Sequence, residues 1–275
     1  MPSSINVINV QGQSEPFSLK KVYRSVLRSG GSKELAHKIS KEIEAKIYPG
    51  IETREIFKNI KNSLKKQNLE TAMRFSLKEG IRKLGPAGFV FEKYISDVFK
   101  DNGYVASTNK WIKGKCIDYE TDIIIEKNRI IHIAECKYRN QPGERVDVSV
   151  CLKAYATYLD IKNGNRFKQE IRPMVITNAK FTTKAIDYSK CQGIELLGWN
   201  YPENNGLEYL IESKNLYPVT ILPSFNNNLI DIFSNNDIMT IKDVLRLDIV
   251  KFSKKTKIPI AQIEKLKKEA EILCH

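Results

Sequence analysis

The chain runs to 275 residues, 41% of them hydrophobic, enough for a real core and long enough for more than one domain. Its 45 Lys and Arg against 32 Asp and Glu give a formal charge of +13, so a polyanionic partner is expected, nucleic acid ahead of membrane. No stretch approaches the ~20 apolar residues of a membrane span, MPSSINVINVQGQ lacks the basic and long apolar regions of a signal peptide, and five scattered cysteines without CxxC pairing or nearby His argue against structural zinc and fit a reducing cytoplasm.

In chain order, INVINV reads as a strand and QGQSEP as a turn, opening a β-hairpin ahead of helices that run to about residue 85. Ser18 is placed to cap LKKVYRSVLRS, which stops at Gly30-Gly31. Ser32 starts KELAHKISKEIEAKIY, Thr53 caps REIFKNIKNSLKKQ, and LETAMRFSLKEGIRKL runs as one helix to Gly85-Pro86. From residue 87 the pattern changes. GFVFEKYISDVFKDNGY repeats Phe89, Tyr94, Ile95, Val98 and Phe99 at helical spacing. Strands follow at about 104–111, 117–125 and 129–137, then helix SVCLKAYATYLDI, strand RPMVITN, helix TTKAIDYSKCQ and strand GIELLGW. That alternation implies an α/β sandwich around a mixed central sheet. Residues 203–228, rich in Asn, read as a linker around one short helix, and three short helices, TIKDVLRLD, IVKFSKKTK and IPIAQIEKLKKEAEIL, close the chain. The expected architecture is multidomain α/β: a mostly helical domain with a β-hairpin over 1–86, an α/β/α mixed-sheet domain over 87–225, and a small helical domain over 226–275.

Charge sorts by segment. Residues 1–86 hold 17 Lys and Arg against 8 acids, residues 240–275 hold 9 against 5, and the stretch between holds 19 of each. The positive excess therefore sits on the two flanks, which are expected to supply much of any phosphate grip. Of the three histidines, His132 lies inside an apolar strand and reads as a core or sheet-face residue, His37 as a surface residue, and His275 is terminal.

The chemistry concentrates between Tyr119 and Arg139. Asp122 stands at the mouth of the apolar run Ile123–Ile125, and Glu135 and Lys137 end the run Ile130–Ala134. Strand residues two apart share a face, so Glu135 and Lys137 project together and Cys136 points away. A turn near Glu126–Arg129 folds the two strands antiparallel and brings Asp122 beside Glu135. Two adjacent carboxylates repel, and a divalent cation resolves that repulsion. Hard oxygen donors without a His or Cys cluster select magnesium or manganese. A surface cluster of salt bridges is the alternative reading of the same residues, and Glu92 reads equally as an exposed helix charge.

Asp122, Glu135-Cys136-Lys137 and an upstream helix carrying Glu92 resemble the PD-(D/E)xK nuclease superfamily. VITNAKFTTKAIDYSKCQGIELLGW, residues 175–199, resembles the second half of Mrr-like restriction endonucleases. The resemblance implies metal-dependent hydrolysis of DNA phosphodiesters, with Asp122 and Glu135 holding Mg²⁺ or Mn²⁺ and the Cys136 carbonyl as a third ligand. Lys137 would act on the nucleophilic water, and Glu92 would complete the metal shell or hold a water. Glu120 shares a face with Asp122 and reads as a supporting residue. The family carries a polar residue on the helix after the E-x-K tripeptide. Lys153 and Tyr155 are candidates there, with Cys151 where a Gln is expected, and none of the three is assigned to the site.

Val7, Gly12, Glu15-Pro16-Phe17, Ser18, Lys21 and Ile51-x-Thr53-x-Glu55-Ile56 resemble an ATP-cone. That likeness implies ATP or dATP as an effector, held by Val7, Gly12, Glu15, Ser18, Lys21 and Thr53. The family's basic pair and Asp before the glycine are replaced by Asn9-Val10-Gln11, so weak or altered nucleotide binding is expected, with Lys20 and Arg24 as possible substitutes. The closing block, with Thr240-x-x-Asp243 and Ile258-x-x-Ala261-Gln262-Ile263-x-x-Leu266, is similar to tandem helix-hairpin-helix domains. It implies DNA phosphate contacts by Lys254, Lys255 and Lys257, although Lys257-Ile258-Pro259 stands in place of the glycine hairpin. The combined expectation is a cytoplasmic, homo-oligomeric, Mg²⁺-dependent DNA endonuclease acting against foreign or modified DNA. A non-catalytic DNA-binding regulator and a repair or junction-resolving nuclease are the alternatives.

Overall fold

Asn9 builds the first turn: its carboxamide oxygen accepts the amides of Gln11 and Gln13 at 2.9 and 3.0 Å. Gly12 takes the left-handed φ of 77° that side chains disfavour. The turn joins β1 (Asn6–Ile8) to β2 (Ser14–Pro16) in an antiparallel pair. A computed structural model describes residues 5–84, 88–164 and 166–274. The helix stop read at Gly85-Pro86, the side chain of Phe89 and His275 lie outside the described residues.

Four helices follow the hairpin: α1 (Leu19–Arg28), α2 (Lys33–Glu44), α3 (Thr53–Gln67) and α4 (Leu69–Phe75). Ser18 and Ser32 cap the first two, accepting from the amides of Lys21 and Leu35 at 3.4 and 3.1 Å. Thr53 is not a cap: it is the first residue of α3, after Glu52, and no side chain caps that end. The single helix expected over 69–84 breaks at Ser76 into α4 and α5 (Leu77–Arg82). The Ser76 hydroxyl donates back to the Ala72 carbonyl at 2.8 Å, a bond that competes with the helix ladder. Val22, Val26, Ile39, Ile43, Ile56, Ile60 and Leu64 close a first core between α1, α2 and α3.

The central part is α6 (Gly88–Asp101), β3 (Val105–Lys113), β4 (Asp118–Lys127), β5 (Ile130–Cys136), β6 (Arg145–Val146), α7 (Val148–Asn163), β7 (Glu170–Ile176), β8 (Lys180–Phe181), α8 (Thr183–Gln192) and β9 (Glu195–Leu197). The main sheet has the order β3-β4-β5-β7-β9. Its first three strands are antiparallel and its last three parallel, which makes the mixed sheet expected from the strand–helix alternation. α7 covers one face through Ile161 against Ile112 and Ile133, and through Cys151 and Ala154 against Val175.

α6 covers the other face. Here Phe91, Tyr94, Ile95 and Val98 meet Ile123, Ile125, Ala134 and Ile176. Leu77 and Ile81 of α5 belong to the same cluster, as do Phe233, Phe252, Ile263 and Leu266 from the tail helices α10 (Ile230–Ser234), α11 (Ile241–Leu245), α12 (Ile249–Thr256) and α13 (Ile260–Glu271). Residues 203–228 are not a free linker. They contain α9 (Leu207–Glu212), and Leu216, Tyr217, Val219 and Ile221 are buried in this core, with the Tyr94 hydroxyl donating to the Leu216 carbonyl at 2.7 Å. Ion pairs Lys93–Asp237 at 2.7 Å and Lys242–Asp101 at 3.0 Å tie the tail to α6. No described helix is long and apolar enough to cross a membrane.

Glu212 ends α9 against this core. Burial, with Glu208 beside it, pushes its carboxyl up to about 7 despite Arg74 and Arg28. Between the ordinary carboxylate range and pH 7 the folded chain then holds a proton that the unfolded chain has released, so this group's contribution to stability falls as pH rises. Glu212→Gln should raise the melting temperature at pH 8 by roughly 2–4 °C, the shift expected for about 1 kcal/mol in a chain of this size. Thermal melts should show the difference closing towards pH 4.5.

Candidate active site

The β4–β5 hairpin turns on Asn128 and Arg129, both with positive φ, 53° and 64°, as a two-residue type I′ turn requires. Its register pairs Ile125 with His132 and Ile123 with Ala134, and the next step brings Asp122 alongside Glu135. The Cys136 amide marks this step by donating to Asp122 Oδ2 at 2.7 Å. Parity puts Glu120, Asp122, Glu135 and Lys137 on the face covered by α7. Cys136 packs against the main core on the opposite face, and burial, with Asp122 nearby, holds its thiol well above the usual range.

Lys153 on α7 reaches Glu135 Oε1 at 2.9 Å. That hydrogen bond raises the lysine's pKa against a smaller desolvation penalty. Glu92, near the start of α6, closes the other side. Burial first, then Asp122, Glu120 and Glu135, push its carboxyl up to about 7. Asp122 is also raised, chiefly by burial and further by Glu135, against the Cys136 amide bond. Lys137 continues the parallel pairing: its amide donates to the Ile176 carbonyl at 2.7 Å, and its carbonyl accepts the Thr177 hydroxyl at 2.6 Å.

The structure thus brings together Glu92, Asp122 and Glu135 of the expected catalytic set, with Lys137 fixed through its backbone at the same strand end. It adds Lys153, which sequence reading left unassigned. The signal for Lys153 was a polar residue on the helix after the E-x-K tripeptide, but only the docking of α7 decides that it faces Glu135. Tyr155 instead lies among Tyr158 and Tyr188, and Cys151 is buried under the sheet. Among the described residues, no three Asp, Glu, His or Cys side chains form a closed cage for a metal ion. What is present is a set of hard oxygen donors in excess of their cationic partners.

Of the residues expected to hold a nucleotide, Val7, Glu15, Ser18, Lys21 and Thr53 line one cavity of 180 Å³, while Gly12 lies in the neighbouring turn. Lys21 is paired with Glu15 at 3.2 Å. Lys254 and Lys255 are exposed on the last turn of α12, and exposed Lys257 ends it in the left-handed region at φ 63°.

The restriction endonuclease family matches residues 85–200, and the family described as AF1548-like, C-terminal, matches residues 217–274. An uncharacterized protein of Archaeoglobus fulgidus is 38% identical over 125 residues, which span 46% of this chain and 69% of that protein. The crystal structure of the protein of unknown function AF1548 has a TM-score of 0.58 and 29% identity, covering 66% of this chain and 94% of that one. The MspJI restriction endonuclease in complex with a 27-mer oligonucleotide has a TM-score of 0.34 and 14% identity, covering 64% of this chain and 36% of that one.

Removing one carboxylate from the cluster tests its electrostatics. In the metal-free protein, Asp122→Asn should lower the pKa of Glu92 while leaving it above the ordinary carboxylate value, because burial is the larger cause. Carbonyl-carbon NMR titration of Glu92 reads this directly; an unmoved Glu92 would mean that the two carboxyls do not share one site.

Proposed function

The chain belongs to the AF1548-like family and carries a restriction endonuclease domain over residues 85–200, and from that premise we propose that it is a divalent-metal-dependent nuclease that hydrolyses DNA phosphodiester bonds. The observation that carries this reading is the crowding of Glu92, Asp122 and Glu135, with Glu92 and Asp122 both raised, against the ion-paired Lys153. Carboxylates held together at that cost fit a hard divalent cation, which relieves their repulsion and matches their oxygen chemistry.

Asp122 and Glu135, with the Cys136 carbonyl, would hold Mg²⁺ or Mn²⁺. Bound there, the ion supplies Lewis acidity towards a phosphate and a more acidic water. Lys153 holds the Glu135 carboxylate in place through its 2.9 Å bond. Lys137 positions the attacking water and offsets charge on the phosphate oxygens, from a backbone fixed by Ile176 and Thr177. Glu92, poised at about 7, is suited to exchanging a proton with water at its carboxylate. The formal charge of +13 suits a polyanionic substrate, and Lys254, Lys255 and Lys257 would add phosphate contacts from the tail. Restriction of foreign or modified DNA is the setting that the family suggests.

The test is cleavage of plasmid DNA with Mg²⁺. Asp122→Ala, Glu135→Ala and Lys137→Ala should each lower the rate about a thousandfold or more, the equivalent of roughly 4 kcal/mol of transition-state stabilisation. Melting curves close to wild type would show that the fold is kept. Undiminished cutting by Asp122→Ala would sink the site assignment, and a wild type that binds DNA without ever cutting it would favour a non-catalytic regulator.

The cavity lined by Val7, Glu15, Ser18, Lys21 and Thr53 favours a second reading, a nucleotide effector in the N-terminal region. Its 180 Å³ falls below the roughly 300–1,000 Å³ of small-molecule sites, so it would enclose only part of a nucleotide. Lys21 is already engaged by Glu15. Binding of ATP or dATP should therefore be weak by calorimetry. Tight binding that is lost in Lys21→Ala would show that the lysine exchanges Glu15 for phosphate.

A further inference from the structure

A second accumulation of like charge lies outside the catalytic cluster and has the opposite sign. Arg74 of α4 and Lys78 of α5 line one cavity despite the break at Ser76, and Arg82 follows Lys78 one turn on along α5. Arg24 and Arg28, four residues apart, share one side of α1. A cavity of 310 Å³ is lined by Arg28, Arg74, Lys78 and, from the strand after β7, Lys180. A groove of 630 Å³ continues from it along α1 past Arg24 and shares Arg28 and Ser25 with it. The surface is therefore built jointly by the N-terminal helices and the restriction endonuclease domain.

These cations are poorly compensated. Among the described residues, none of Arg24, Arg28, Lys78, Arg82 and Lys180 is within ion-pair distance of a carboxylate, and Arg74, though paired with Glu70 at 2.7 Å, keeps a buried Nε without a partner. The Lys78 ammonium rests 5.3 Å from the centre of the Trp199 ring. Burial, with Arg82 and Lys180 nearby, lowers its pKa to about 8. Glu208 and Glu212 lie on one wall, where burial pushes Glu212 up to about 7, and the cations outnumber both. Cations gathered in excess of their counter-ions suit an anion, as carboxylates gathered in excess suit a cation.

The surface leads to the catalytic strand end. Asn178, two residues before Lys180, fixes the backbone of Arg139 through two hydrogen bonds, at 2.8 and 2.7 Å. The Tyr138 hydroxyl donates to the carbonyl of Arg82. Lys137 is the next residue back. Trp199 is 5% exposed, so it offers no open face on which a base could stack. The charges extend along α1, α4 and α5 and onto β8 rather than closing on one point, which suits a chain of phosphates better than a single free anion.

We propose that Arg24, Arg28, Arg74, Lys78, Arg82 and Lys180 form a track for the sugar-phosphate backbone of DNA running up to the catalytic strand end, so that the N-terminal helices act as a clamp on the substrate flanking the cleaved bond. The proposal rests on the nuclease reading, and its test separates the two. Full-length protein is titrated with a duplex oligonucleotide of arbitrary sequence, without divalent metal, over a range of salt concentrations. Each lost phosphate contact reduces the slope of log K against log salt by about 0.9. The exposed pair Arg28→Gln/Lys180→Gln should reduce it by about 1.8 at an unchanged melting temperature, and Lys78→Gln alone by about 0.9. A wild type that binds DNA with the same slope as the double variant overturns the track and leaves the nuclease reading standing. A wild type that neither binds nor cuts DNA overturns both. Thermal stabilisation of wild type by ATP that disappears in the double variant, with an unchanged DNA slope, would assign the surface to a free nucleotide and overturn the proposal.

Discussion

The register of the β4–β5 hairpin is the constraint on which the site depends. A slip of one residue would send every side chain of β5 to the other face, carrying Glu135 and Lys137 into the core under α6 and exposing Cys136 and Ala134. Two features hold the register. Asn128 and Arg129 accept the positive φ of a two-residue turn, and Ile123, Ile125 and Ala134 are buried on the α6 face, where a slip would replace apolar side chains with charged ones. The cost of crowding Glu92, Asp122 and Glu135 is thus borne by hydrophobic burial on the far side of the same strands.

That burial is not confined to the sheet domain. Phe233, Phe252, Ile263 and Leu266 from the tail and Leu77 and Ile81 from α5 share one cluster with Phe91 and Tyr94. At roughly 1.5–3 kcal/mol for each fully buried large side chain, the tail residues alone contribute on the scale of a domain's entire net stability of about 5–15 kcal/mol. α6, which carries Glu92, is packed between these contributions and the sheet. The Tyr94 hydroxyl, bound to the Leu216 carbonyl, adds a polar tie at the centre of this packing. Glu92 is therefore positioned through α6 by residues from both ends of the chain.

Charge follows the same division of labour. The neutral middle of the sequence gathers Glu92, Glu120, Asp122 and Glu135 at one strand end, and the basic N-terminal flank brings Arg28, Arg74 and Lys78 to one cavity with Lys180. Like charges are gathered in both places at a cost in electrostatic repulsion, which a ligand of opposite sign would relieve in each. Asn9 illustrates the opposite choice. Where the ATP-cone pattern carries a basic pair, this chain has a side chain that hydrogen-bonds to its own turn, so the position serves the backbone rather than a phosphate.

What the sequence determined by itself was whatever depends on short-range periodicity. The alternation of strands and helices, the caps at Ser18 and Ser32, the hairpin after Lys127, and the shared face of Asp122, Glu135 and Lys137 all follow from spacings of two or about four residues, because backbone geometry alone sets which side chains share a face. Local pattern also misled in places. The Asn-rich stretch 203–228 has linker composition yet buries Tyr217 and Val219, and 69–84 has helical composition yet breaks at Ser76. Only the tertiary structure decided that Lys153 meets Glu135, that Glu92 closes the far side of the carboxylates, and that Lys180 stands beside Lys78. Those contacts join segments whose relative placement is set by how distant apolar faces fit together, and that fit leaves no periodic trace in either segment alone.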